Sequence, residues 1–171
     1  MSTDAVVAGS INSPAIIGKL PGHGDFLARS VEYALRDPLD RWMSEWLELA
    51  RAKLGSEFEE AYESAAPWLW EGANVNAVFM PSVDAVGRLF PLLVVCSSSA
   101  VTQDIYDTIV GALEAGTKAD ALIDQLQELV SRADPVRTPD RFDWFLPEGA
   151  EPMLPSPSTA KSWPSIREHF S

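Results

Sequence analysis

The sequence predicts a single α/β domain with a central, mainly antiparallel or mixed sheet and helices on both faces, a three-layer sandwich. Strand-like apolar runs and amphipathic helical patterns both occur along the chain. The run "RLFPLLVVCSSS" (88–99) is almost continuously apolar, which is typical of a central strand covered on both sides. A length of 171 residues, 46 % of them apolar, suits one domain with its own core.

The longest helical pattern predicts a helix that begins near Asp37 and ends at Gly55. Asp37 is a candidate N-cap, and Pro38 fits the first helical position. Between them and Gly55, apolar residues recur at a spacing of three and four, the pattern of one helical face: Leu39, Trp42, Met43, Trp46, Leu47 and Ala50. This spacing places Trp42 and Trp46 in the core rather than on a binding surface.

Further elements follow in order. A short helix is predicted at about 57–65, and "PWLW" to "NAVFMPS" (67–82) predicts one or two strands. In the strand-like run at 88–99, Pro91 is expected at the start of the strand or at a bulge, because proline donates no ladder hydrogen bond. Two amphipathic helices are predicted between Thr102 and Val130, separated at Gly116.

The chain divides into three parts. Residues 1–14 are small and polar and predict a flexible lead-in, and residues 15–133 form the domain. Residues 134–171 contain seven of the thirteen prolines, so little regular structure is expected there. Phe142, Trp144 and Trp163 in this extension predict that parts of it pack on the domain.

Charge and cysteine content exclude several functions. A net charge of −12 without a basic run argues against nucleic acid or an anionic membrane as the main partner. No apolar run approaches the roughly 20 residues of a membrane span, and the first twenty residues lack the pattern of a secretory signal. The single cysteine, Cys96, rules out a disulfide framework and indicates a small buried residue. The expected location is the reducing cytoplasm.

The stretch "GKLPGHGDF" (18–26) fails two nucleotide-binding templates. A phosphate-binding loop needs Gly-Lys-Ser/Thr at a helix start, but Lys19 stands three positions before Gly22 and no Ser or Thr follows it. In the dinucleotide pattern, Gly22 and Gly24 supply the first two glycines, and Leu27 occupies the third position. We therefore expect no cofactor.

Catalytic and metal chemistry find equally little support. Ser82, His23 and Asp84 could in principle form a hydrolase triad, but no Gly-x-Ser-x-Gly elbow is present. One histidine with scattered carboxylates falls short of a metal ligand set. We therefore expect no catalytic residue, no metal and no enzyme activity.

A structural role explains the stretch more simply. Gly22 and Gly24 would allow backbone angles closed to other residues, Pro21 would fix the turn, and Phe26 would anchor it to the core. Asp25 would accept backbone N–H groups or pair with an arginine. A second stretch, "MPSVDAVGRLFPL" (80–92), has similar turn residues, and an Asp25–Arg88 or Asp84–Arg88 pair would join the two loops. The candidate residues for loop architecture or interaction are Lys19, Pro21, Gly22, His23, Gly24, Asp25, Phe26, Ser82, Asp84, Gly87 and Arg88.

Together, "GKLPGHGDF", a tryptophan-bearing amphipathic helix, "APW" (66–68) and "MPSVDAVGRLFPL" resemble the N-terminal domain of the TagF family over about residues 15–130. The family's motif falls here on Gly18, Lys19, Leu20, Pro21, Gly24, Asp25, Phe26, Pro81, Ser82, Asp84, Gly87, Arg88, Phe90 and Pro91. TagF proteins are accessory proteins of bacterial type VI secretion. The resemblance implies an α/β fold and a non-enzymatic, post-translational repressor that binds the forkhead-associated scaffold protein of the apparatus.

Two other functions stay open at this point. One is a sensor of a small molecule or anion, centred on Lys19, His23, Asp25 and Arg88, with a hydrolase-like site at the 18–26 and 82–88 loops. The other is a purely structural subunit of the apparatus. The sequence assigns no oligomeric state.

Overall fold

The computed structural model describes residues 13–132, 141 and 143–170. The elements, in chain order, are β1 (Ala15–Gly18), β2 (Leu27–Arg29), α1 (Tyr33–Leu54), α2 (Phe58–Ser64), β3 (Trp68–Glu71), β4 (Val75–Met80), β5 (Leu92–Ser97), α3 (Thr102–Ala115), α4 (Ala119–Arg132) and α5 (Trp163–Arg167). Short 3₁₀ turns lie at Gly55–Glu57, Pro157–Thr159 and Glu168–Phe170. The predicted lead-in lies almost wholly outside the described residues, as does Phe142.

The described strands form one sheet in the order β2-β1-β5-β4-β3, with every neighbouring pair antiparallel. β5 is the middle strand, as its continuous apolar run predicts, and Pro91 immediately precedes it. At the β3 edge, Leu69 pairs with Phe145 through backbone hydrogen bonds of 2.7 and 2.9 Å. Phe145 belongs to residues 134–171, here called the C-terminal segment. This contact covers part of a strand edge that would otherwise expose unpaired backbone groups.

Helices cover both faces of the sheet, which confirms the predicted fold class. Alternate residues of β5 point to opposite sides, with Leu93 and Val95 towards α1 and α2 and Leu92 and Val94 towards α3 and α4. Cys96 is fully buried on the α3 and α4 side, and burial raises the pKa of its thiol to about 12. Among the described residues, no helix combines the length and apolarity needed to cross a bilayer.

α1 begins earlier than the sequence predicts. The helix starts at Tyr33, and Pro38 lies inside it instead of at its first position. Leu35 is buried on the same face as Leu39, one turn earlier, so the apolar stripe extends the helix towards its N-terminus. The proline leaves the carbonyl of Ala34 without its helical donor, but Ala34 is exposed and water can hydrate that carbonyl. The predicted end at Gly55 is confirmed.

The C-terminal segment contributes aromatic side chains to the core beneath α1. Trp42 and Trp46 are fully buried, as predicted, and each indole N–H donates to a carbonyl of this segment, that of Pro157 (3.0 Å) and Pro155 (2.8 Å) respectively. The rings of Trp144 and Trp163 lie 6.2 and 5.4 Å from that of Trp42. The described part of this segment is therefore packed against the domain.

Candidate functional site

The two motif stretches leave the sheet at the same end. The β1–β2 loop (residues 19–26) begins after Gly18, and the β4–β5 loop (residues 81–91) ends before Leu92. Gly18 and Leu92 are paired across β1 and β5, so the first loop begins beside the end of the second. The α3–α4 link (residues 116–118) reaches the same place, because His23 of the β1–β2 loop contacts the first residue of α4.

Asp84 organises the β4–β5 loop from inside. Its side chain is fully buried, and its Oδ1 accepts hydrogen bonds from the backbone N–H groups of Val86 (3.0 Å) and Arg88 (2.9 Å). Its Oδ2 accepts from Arg88 Nε at 2.6 Å and lies 3.4 Å from Lys19 Nζ. Gly87 takes a φ of +87°, which glycine adopts readily, and its N–H closes the turn on the carbonyl of Asp84.

The charged form of Asp84 is favoured by these contacts. Burial acts to raise the pKa of the carboxyl group. The N–H and guanidinium of Arg88, with the N–H of Val86, outweigh that effect and lower the pKa to about 2. Because this value lies below the ordinary 3.8, ionised Asp84 stabilises the fold fully above about pH 4, and the contribution is lost as the pH falls towards about 2.

Replacing Asp84 by asparagine is therefore expected to destabilise the domain at neutral pH. In acid, the difference in free energy of unfolding between the variant and the wild type should become smaller. The amide nitrogen of asparagine accepts no hydrogen bond, so either the two backbone N–H groups or the Arg88 guanidinium lose their acceptor. Urea unfolding at a series of pH values measures this difference in free energy of unfolding. The matched control is Asp25→Asn, a carboxylate 4.0 Å from the same guanidinium but with a side chain 98 % exposed. Equal effects of the two substitutions would contradict the assigned role of Asp84.

Backbone acceptors join the two loops. Ser82 Oγ donates to the carbonyl of Lys19, and Arg88 Nη2 donates to the carbonyl of Gly24, each at 2.7 Å. The N–H of Ala85 donates to the carbonyl of His23, also at 2.7 Å. The predicted Asp84–Arg88 pair is present, and it orients the guanidinium that reaches Gly24. The predicted Asp25–Arg88 pair is also present, but at 4.0 Å and on the outside.

The glycines of "GKLPGHGDF" act differently from the prediction. Gly22 and Gly24 do not adopt positive φ; Gly18 does, at +129°. Gly22 lies close to the α3–α4 link: a Cβ there would be 3.1 Å from the carbonyl oxygen of Gly116, a tight contact that requires the link to shift slightly. A Cβ at Gly24 would meet nothing within 4 Å. The local pattern could not distinguish these cases, because they depend on segments distant in sequence.

Pro21 and Phe26 fix the two ends of the β1–β2 loop. Pro21 follows Leu20 in a turn that the N–H of His23 closes on the carbonyl of Leu20 at 3.0 Å, a position that suits the fixed φ of proline. Phe26 is half-buried against the core, and its ring stacks on that of Phe90 with centroids 5.5 Å apart. The predicted anchoring role of Phe26 is confirmed.

Tyr62 supports the β4–β5 loop, a role that no sequence pattern indicated. Its hydroxyl donates to the carbonyl of Ser82 (2.8 Å) and accepts from the N–H of the same residue (2.9 Å). Burial raises the pKa of this hydroxyl well above its ordinary value of 10.0.

His23 holds the start of α4. Its Nε2 accepts the backbone N–H of Ala119 at 2.9 Å, so the imidazole acts as an N-terminal cap from another part of the chain. Beside it, Lys118 Nζ donates to the carbonyl of Gly22. Burial, then the charges of Lys118 and Arg29, lower the pKa of His23, while Asp120 opposes them.

Replacing His23 by alanine is expected to cost about 1 kcal/mol of stability at neutral pH, the usual worth of a helix cap. The folded-state pKa lies below the ordinary 6.5, so the contribution is complete above about pH 6.5 and falls as the pH drops below it. Thermal unfolding between about pH 8 and pH 5 tests both expectations. His23→Gln is the control, because its amide oxygen can accept the same N–H without titrating. A wild-type-like pH dependence in His23→Gln would contradict this account.

The arrangement uses its polar groups to hold backbone. Ser82 donates a hydrogen bond to a backbone carbonyl, and His23 accepts one from a backbone N–H. Asp84 accepts hydrogen bonds from two backbone N–H groups and from a guanidinium. The described ranges, 13–132, 141 and 143–170, contain no group of three His, Cys, Asp or Glu side chains placed to hold a metal ion. Chemically, the site is a pair of loops fixed to each other and to α4, with Val86 72 % exposed at the outer turn.

By fold and site, the chain is an antiparallel α/β sandwich with a loop platform at one end of its sheet, formed by the hydrogen-bonded loops at residues 19–26 and 81–91. The family model of the TagF N-terminal domain, described as Type VI secretion system-associated, matches residues 15–147. The chain therefore belongs to this family, which confirms the resemblance drawn from its motifs.

A solved structure shows the same fold. The chain is similar to PA0076 from Pseudomonas aeruginosa PAO1, with a TM-score of 0.56 and 23 % sequence identity over 92 % of this chain and 78 % of that one. No match was found among curated proteins.

Proposed function

We propose that the chain is a non-enzymatic repressor of bacterial type VI secretion that acts in the cytoplasm by binding the forkhead-associated scaffold of the apparatus. The family membership gives the association with type VI secretion. One observation supports a binding role: Ser82, Asp84 and Arg88 all form hydrogen bonds with loop backbone, so they fix the shape of a surface. A stoichiometric repressor needs such a preformed surface, because a rigid surface loses little conformational entropy on binding.

The exposed part of the platform supports the same proposal. Val86 is 72 % exposed at the turn of the β4–β5 loop, beside the exposed Gly24 and Asp25 of the β1–β2 loop. An apolar side chain held outward by a fixed turn is a feature that a protein partner can bury.

Co-purification tests the proposal. A tagged copy of the chain, expressed with the forkhead-associated scaffold, is expected to recover the scaffold from lysate, while the tag alone does not. Failure to recover the scaffold with both proteins folded would contradict the proposal. A thermal-shift screen with phosphate and nucleotides separates it from the anion sensor: a saturable rise in melting temperature would favour the sensor.

A further inference from the structure

A groove runs between α1 and the two motif loops. Its volume is about 530 Å³, which is within the usual size range of ligand pockets and holds a few side chains. The stacked rings of Phe26 and Phe90, together with the half-buried Leu47 and Leu89, supply its apolar surface. The groove therefore offers an apolar floor next to the platform.

The charges around this floor are unequally satisfied. Lys19 lies 3.4 Å from Asp84, so its charge is already paired with a carboxylate. The guanidinium of Arg51 lies 4.8 Å over the ring of Phe58, which holds it in place against the domain. Asp40 accepts a hydrogen bond from Ser44 at 3.3 Å, but in the part of the chain that the structure describes neither Asp40 nor Glu48 forms an ion pair. The groove thus has two carboxylates available to an outside cation.

The spacing of the carboxylates defines what would fit. Asp40 and Glu48 both line the groove from α1, eight residues apart, which is about 12 Å along a helix. An extended peptide advances about 3.3 Å per residue and presents alternate side chains on one face. Two cations four residues apart would therefore reach both carboxylates, with the side chain midway between them directed at the apolar floor.

We propose that this groove binds an extended segment of the partner protein that carries basic residues four positions apart and an apolar residue midway between them. The inference rests on the proposed function for the identity of the partner, but the groove defines the chemistry of the segment by itself. The acidic net charge of the chain, −12, favours encounter with a basic segment.

Calorimetric titration of the forkhead-associated scaffold into the wild type, Glu48→Lys and Glu114→Lys tests the proposal. Glu48→Lys reverses an exposed groove charge and is expected to weaken binding about tenfold. Glu114→Lys makes the same charge change on α3, across the sheet from the groove, and is expected to bind as the wild type does. Matching melting temperatures would establish that both variants fold. If Glu48→Lys and the wild type bind the scaffold with equal affinity, the proposal that the groove binds the partner is wrong, while the proposed function still stands.

A second experiment tests the groove without the scaffold. The peptide Gly-Lys-Ser-Leu-Ser-Arg-Gly is expected to shift the amide NMR signals of Leu47 and Leu89 in the wild type, and to do so less in Glu48→Lys. The peptide Gly-Glu-Ser-Leu-Ser-Glu-Gly should leave them unchanged. If the scaffold fails to bind but these shifts occur, the proposed function falls and the groove stands. Absence of shifts with the basic peptide would overturn the proposal. It would also be overturned if the wild type forms a dimer that Glu48→Lys dissociates, because a second copy of the chain would then occupy the groove.

Discussion

Gly18→Ala is expected to lower the free energy of unfolding by about 3 kcal/mol or more. Gly18 has a φ of +129°, which side-chain-bearing residues rarely adopt. A Cβ at this position would lie 2.2 Å from the carbonyl oxygen of Pro91. The Cβ position is fixed by the backbone of β1, and the carbonyl belongs to the backbone immediately before β5, so no side-chain rotation can relieve the clash. β1 and β5 must separate at the end of the sheet from which both motif loops extend.

Gly24→Ala provides the matched control for this prediction. It makes the same change in the same motif, but Gly24 has no positive φ and the added Cβ would contact nothing within 4 Å. Urea unfolding is expected to give a large loss for Gly18→Ala and a change of less than about 1 kcal/mol for Gly24→Ala. Equal losses in the two variants would contradict the description of the sheet end.

The second large effect is expected at Trp42. Trp42→Ala should cost about 3–5 kcal/mol, the usual range for a buried tryptophan cut to alanine. The side chain is fully buried, with ring centroids of Phe79 and Trp163 at 5.3 and 5.4 Å. Its indole N–H also donates to the carbonyl of Pro157, so the substitution removes a hydrogen bond to the C-terminal segment. This segment should detach before the rest of the domain unfolds.

Two measurements on Trp42→Ala check this expectation. Denaturant unfolding gives the loss of stability, and limited proteolysis should cleave the C-terminal segment faster than in the wild type. Leu49→Ala on the same helix is the control, since Leu49 is 36 % exposed and leucine and alanine have similar helix propensities. Unchanged proteolysis of Trp42→Ala would show that the segment is held by other contacts.

Elements with a strong periodic pattern could be predicted from the sequence. The unbroken apolar run before Cys96 identified the middle strand, because only a strand covered on both faces avoids polar positions. The spacing of Trp42 and Trp46 identified the buried face of α1. The predicted start of this helix was wrong because Pro38 is a strong local signal for a first helical position. The burial of Leu35, which extends the helix, is a tertiary effect that local sequence does not show.

The candidate site was predictable only in part. The Asp84–Arg88 pair was predictable because both residues lie in one turn. The contact between the two motif loops was expected from their similar turn residues. His23 capping α4 joins residues 96 positions apart, and Tyr62 bonding to Ser82 joins residues 20 apart. Such contacts depend on how the strands place the loops, which no local pattern encodes. The requirement for glycine at position 18 likewise arises from strand β5.

Secretion by a strain that lacks this protein tests the central claim most directly. The amount of type VI substrate in the culture medium is measured in the wild-type strain, in the deletion strain and in the deletion strain with the gene restored. A repressor that binds the scaffold predicts that deletion raises secretion and that restoring the gene returns it to the wild-type level. Loss of secretion on deletion would show a structural subunit and contradict the account.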